Sequence, residues 1–79
     1  MENERYQLHG TYRHFKGNLY SLEGVGYDSE TKEKLVIYKA LYDDHKVWCR
    51  PYDMFFSEVD HEKHPEAKQR YRFELVENI

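Results

Sequence analysis

Between Gly10 and Tyr27 the chain reads GTYRHFKGNLYSLEGVGY, two runs of aromatic and extended-favouring residues on either side of a Gly-Asn pair. A β-hairpin is the reading this spacing imposes. Tight hairpin turns need positive φ, which glycine adopts without steric cost, and the flanking residues favour strand over helix. The register is open. A two-residue turn at Gly17-Asn18 pairs Phe15 with Tyr20 and Arg13 with Leu22, which puts Phe15, Tyr20 and Leu22 on the buried face and Tyr12, His14, Ser21 and Glu23 on the other. A three-residue loop instead brings Tyr12 and His14 onto the face of Tyr20 and Leu22.

The rest of the chain continues in the same manner. Gly24 and Gly26 interrupt the second run and mark a bulge or a close backbone approach. After the polar loop DSETKEK, the run LVIYKALY is apolar on both faces, with Val36, Tyr38, Ala40 and Tyr42 on one side and Leu35, Ile37 and Leu41 on the other, as suits a central strand. DDHK makes a further turn. VWCR is a fourth strand ended by Pro51, which also suits the first position of a helical turn over PYDMF. FSEV is a fifth strand or a continuation of the crossing segment, DHEKHPEAKQ an exposed loop, and RYRFELV a last strand with Tyr71, Phe73 and Leu75 on one face. These short antiparallel strands predict a mainly β fold, a small SH3-like barrel of about five strands with a short helical turn after Pro51. Closure would remove the exposed edges of so small a sheet. Residues 1–7 are polar and expected to fray, leaving 8–79 as one β-barrel domain.

A chain of 79 residues builds only a small core. Eight tyrosines and four phenylalanines fill it economically, because a phenol packs like a hydrocarbon and keeps a hydroxyl for water or a partner. The net charge is −3, and the segment from Asp43 to Asp60 carries all of it, so no broad positive field exists and nucleic acid is disfavoured as a partner. Local basic strips such as Lys68, Arg70 and Arg72 remain. One cysteine and no long apolar stretch point to a cytoplasmic protein with no membrane partner.

The ordered motifs YRHFKGNLY, SET, LVIYKALY and WCRPYDMF resemble the small bacterial family known as domain of unknown function 1653. The resemblance runs from about Thr11 to Val59. It rests on Tyr12, Arg13, His14, Lys16 and Gly17, on Ser29, Glu30 and Thr31, on Tyr38, Ala40, Leu41 and Tyr42, and on Trp48, Arg50, Pro51, Met54 and Phe55. Asp28 stands where the family commonly has histidine and Cys49 where it has valine. The resemblance implies a compact, mainly β domain found alone or beside others, and no established activity.

Several residues invite a chemical reading. His14 is the best catalytic candidate, with Ser21 or Glu23 across the hairpin, but a relay needs all three groups within hydrogen-bond reach. Cys49 alternates with Trp48 and Arg50, and facing the core beside Val47 it is a small hydrophobe rather than a nucleophile. HEKH, from His61 to His64, lacks the spacing of a zinc motif and reads as a solvated loop, so no metal and no cofactor are expected. Trp48 with Arg50, on one face of a strand near tyrosines, is the stronger feature, because arginine and aromatic rings together grip peptides, bases or cations. The plainer alternative is a half-buried Trp covered by an arginine stem. The leading expectation is a non-catalytic binding module presenting Tyr12, Arg13, His14, Tyr42, Trp48 and Arg50 to a protein, peptide or small ligand, and acting as a monomer. A small enzyme centred on His14 and a homo-oligomerising domain are the alternatives.

Overall fold

The computed structural model describes residues 2–76. Met1 and residues 77–79, the ends of the two expected segments, lie outside the described residues. Five strands, β1 (Thr11–His14), β2 (Leu19–Tyr27), β3 (Lys34–Ala40), β4 (Val47–Pro51) and β5 (Phe73–Leu75), form one antiparallel sheet in the order β4-β3-β2-β1-β5. A single helical turn, α1 (Tyr52–Phe55), follows Pro51. The mainly β expectation with its five antiparallel strands is met, but the barrel does not close. β4 and β5 remain the two edges, and FSEV contributes only an isolated bridge between Glu58 and Tyr71.

The first hairpin uses the three-residue loop. His14 N–H donates to the Asn18 carbonyl (2.8 Å), Gly17 N–H donates back to the His14 carbonyl (2.7 Å), and Gly17 sits at φ +107° with empty space where a Cβ would be. Glycine is required there by backbone angle rather than by crowding. Tyr12 therefore pairs with Tyr20 and Arg13 with Leu19. Farther along β2 the ladder shifts between Leu22 and Gly24, so that Glu23 is the bulged residue. The shift keeps Leu22 and Val25 on one face, opposite Tyr38 and Val36.

That inner face carries the core. Tyr12, Leu22, Val36, Tyr38, Phe55, Phe56 and Phe73 are buried against one another, with Tyr6, Tyr20 and Tyr52 partly buried around them. α1 delivers Phe55 over the sheet, where its ring stacks on Phe73 at 4.2 Å between centroids and 8° between planes. Pro51 makes this possible by ending the β4 ladder at the point where the chain must turn inward.

The N-terminal segment contacts this core at several points. Arg5 donates to the carbonyls of Phe56 (2.5 Å) and Phe73 (3.4 Å), and its guanidinium lies 3.6 Å from the Tyr71 ring centroid. Asn3 N–H donates to the Tyr52 hydroxyl (2.6 Å), and His9 N–H to the Leu22 carbonyl (2.7 Å). Arg5 thereby answers the carbonyl that follows α1 at Phe56 and the one at Phe73 in β5. The segment ties the region of α1 to β5.

Candidate functional site

Parity along the strands decides which expected site residues meet. On β4, Trp48 pairs with Tyr38 and Arg50 with Val36, both partners buried, so Trp48 and Arg50 belong to the inner face. Cys49 and Val47 consequently lie on the outer face, and both are exposed. The expectation that they face the core is reversed, because no described residue covers the outer side of this edge strand. Trp48 is 47% exposed and makes no aromatic or cation–π pair among the described residues.

His14 pairs with Phe73 across β1 and β5, its ring 4.9 Å from the Phe73 centroid and 4.4 Å from that of Phe15. Arg50 reaches the same group from β4: its Nε donates to the Tyr38 hydroxyl (3.3 Å) and its guanidinium carbon lies 5.8 Å from the Phe73 centroid. Tyr42, in the β3–β4 turn, shares a 2.6 Å hydrogen bond with the Tyr20 hydroxyl. That turn is shaped by Asp43 and His45, both in the left-handed region, and closed by Ala40 N–H on the Lys46 carbonyl. His14, Tyr42, Trp48 and Arg50 thus share the inner face, around rings of Tyr20, Tyr38 and Phe73.

Two expected residues are elsewhere. Tyr12 is 0% exposed, packed edge-on to Phe55 and Phe56, and its hydroxyl donates to the Arg5 carbonyl (2.7 Å) and accepts from Gln7 N–H (2.9 Å). It is a core residue with nothing left to offer a ligand. Arg13 alternates with Tyr12 and His14 and is exposed on the outer face. The three-residue loop would have disclosed Tyr20 as a site residue. Arg72 was missed because alternation with Phe73 assigned it to the far face. The irregular backbone before β5 instead sets its guanidinium 5.9 Å from the Phe15 ring, with Nε 3.5 Å from Ser57 Oγ.

Electrostatics bear on chemistry. Burial, and then the charges of Arg50, Arg72 and Lys16, push His14 down from 6.5 to about 4, so the imidazole is neutral at physiological pH. Lys16 N–H donates to its Nδ1 (3.1 Å), which leaves the proton of the neutral ring on Nε2. Burial, then the hydrogen bond with Tyr42, pushes Tyr20 up to about 12, so its hydroxyl stays protonated. Arg72 is held below the usual guanidinium value by burial and by Arg50, and remains charged. A base titrating near 4 is weak for proton abstraction at neutral pH. Ser21, moreover, donates to Glu23 (2.6 Å) and alternates with Tyr20, on the face away from His14.

The other motifs resolve as local structure. The Asp28 carboxylate accepts the backbone N–H groups of Glu30 and Thr31 (2.8 and 2.9 Å), which shapes the DSETKEK turn. His61 Nε2 lies 3.0 Å from the Gln69 carbonyl, while His64 packs against Phe15 with ring centroids 4.9 Å apart. Among the described residues no three potential ligands gather as a metal site. A depression of about 190 Å³ lined by Glu33, Lys34, Pro51, Tyr52 and Asp53 lies at the opposite end of β3 from Tyr42 and contains none of the site residues. No helix among the described residues is long and apolar enough to cross a membrane.

Neither a curated protein nor a solved structure matches the chain. A family model described as "Protein of unknown function (DUF1653)" matches residues 10–75, a span that includes every strand and every residue of the inner-face group. On that match the chain belongs to the DUF1653 family.

Proposed function

We propose that this domain is a non-catalytic binding module whose inner face, at the end carrying His14, Tyr42, Trp48 and Arg50, holds a partner with a flat or aromatic portion. One observation carries the reading: Trp48 projects from an edge strand onto the inner face with about half its surface free and no ring stacked on it, beside Arg50. An exposed indole next to an arginine is a feature that binding surfaces enrich and folding alone does not require. A neutral His14 and the placement of Ser21 on the other face weigh against a hydrolytic relay. We take the protein to be monomeric, and cytoplasmic on the strength of an exposed, unpaired Cys49 that a reducing compartment would preserve.

A screen of aromatic fragments, peptides and mononucleotides against isotope-labelled protein tests this. Binders are expected to shift the Trp48 indole and Tyr42 resonances, and Trp48→Ala is expected to abolish those responses while leaving the fold unchanged. If hits shift only residues of the outer face, or if Trp48→Ala binds as the native chain does, the site reading is wrong.

A further inference from the structure

The groups around His14 have a common character: they donate hydrogen bonds and carry positive charge. Arg50 and Arg72 approach from β4 and from the segment before β5, and Lys16 from the hairpin loop, its Nζ 5.9 Å from the Phe15 ring. Neither Arg50 nor Arg72 has a carboxylate within salt-bridge distance among the described residues, whereas Arg70 pairs with Glu58 and Lys34 with Glu2. Asp60 is the acid that most affects Arg72, and it acts through space rather than by contact. His14 presents Nε2–H, since Nδ1 is occupied. Of the Tyr20 and Tyr42 hydroxyls, whichever accepts in their mutual bond keeps a proton free to donate.

We propose that this end of the inner face seats the phosphate-monoester group of a small ligand, between Arg50 and Arg72 and against His14, with the ligand's ring toward Trp48 and the Tyr20–Tyr42 pair. This rests on the binding-module reading and narrows it to a ligand class. Two guanidiniums match the charge of a phosphate monoester at neutral pH, and planar donor forks suit its oxygens. The chain as a whole is acidic, at −3, which repels a polyanion and leaves a single phosphate group as the fitting partner. No step of chemistry is implied.

Occupancy has a signature that needs no variant. A dianion beside a neutral imidazole favours its protonated form, so ligand binding raises the pKa of His14, on the order of one unit or more for a charge in close contact. Besides burial, the neighbours that lower the starting value are Arg50, Arg72, Lys16 and His64, and the Tyr20 ring faces the imidazole edge-on at 6.4 Å between centroids. The experiment is an NMR titration with phenyl phosphate, benzoate and benzyl alcohol, each at ~10 mM, a weak-binding regime. Saturable shifts at His14 and Trp48 with phenyl phosphate, a raised His14 pKa, and about a tenfold or greater loss of affinity in either Arg50→Gln or Arg72→Gln support the proposal. Phenyl phosphate and benzyl alcohol binding alike would overturn it and leave the binding module standing. Benzoate binding as tightly as phenyl phosphate would overturn the choice of a doubly charged group. If none of the three binds, the proposal fails, and the fragment screen decides separately whether the wider reading fails with it. Should either glutamine variant unfold, the shift of the His14 pKa in the native chain still decides.

Discussion

The burial of His14 among positive charges makes a quantitative demand on stability. In the unfolded chain an imidazole titrates near 6.5, whereas the folded chain holds it down to about 4, first by burial and then by Arg50, Arg72 and Lys16. Between those values the unfolded state binds a proton that the native state refuses, so stability falls as pH falls. The contribution is fully present above 6.5, declines through that window, and is gone below about 4. Between pH 7 and pH 5, linkage gives at most about 2 kcal/mol, and roughly 1 kcal/mol after discounting for the ring's partial exposure to solvent. Other groups contribute over the same interval, so the measurement is a difference of differences. Urea midpoints of the native chain and of His14→Asn are compared at pH 7 and pH 5 in phosphate-free buffer at fixed ionic strength. Asparagine keeps an acceptor near the Nδ1 position, where Lys16 N–H donates, and cannot gain a proton. The native chain is expected to lose about 1 kcal/mol more than the variant over this interval. Equal losses in the two proteins would refute the placement of a neutral imidazole beside Arg50 and Arg72.

Tyr12→Phe removes the hydroxyl that links Arg5 and Gln7 and leaves both backbone groups short of a partner. A loss of about 1–2 kcal/mol in urea unfolding is expected, and an unchanged midpoint would show that the N-terminal segment contributes nothing through this contact. Cys49 on the outer face is expected to react with a small maleimide in the folded protein at nearly the rate seen in urea. Strong protection would mean that the outer face of β4 is covered.

The alternation of β3 was legible because its inner residues Val36, Tyr38 and Ala40 are buried and its outer ones, Leu35 and Ile37, are half-buried. The first hairpin was legible as a hairpin but not in its register. Gly17 serves equally well in a two-residue turn or as the positive-φ residue closing a three-residue loop, and one residue of slip exchanges the faces of Tyr12 and Arg13. For Cys49 the alternation held, and only the identity of the inward face was misjudged: a short edge strand has too little hydrophobic contrast to reveal it. Arg5 escaped because side-chain bonds to distant carbonyls leave no periodic trace in a sequence. The inner-face group was partly visible through Trp48 and Arg50, whereas Arg72 required the irregular backbone before β5.

The bonds made by Arg5 also set a temporal order on folding. Its partners Phe56 and Phe73 are 51 and 68 residues away along the chain, among the longest separations in the molecule. The hairpin of β1 and β2, by contrast, closes over a handful of residues. Contacts that span such loops form after local ones, because the chain entropy of closing them is met only when a docking surface exists. During synthesis Arg5 leaves the ribosome well before Phe56 and Phe73, and is therefore among the last side chains to find its place. Until Phe73 has emerged, Arg5 has no seat and the aromatic interior stays open on one side. A nascent chain of this design is most exposed to mispairing in that interval, and any attachment to Asn3 or Glu4 that slows docking would prolong it.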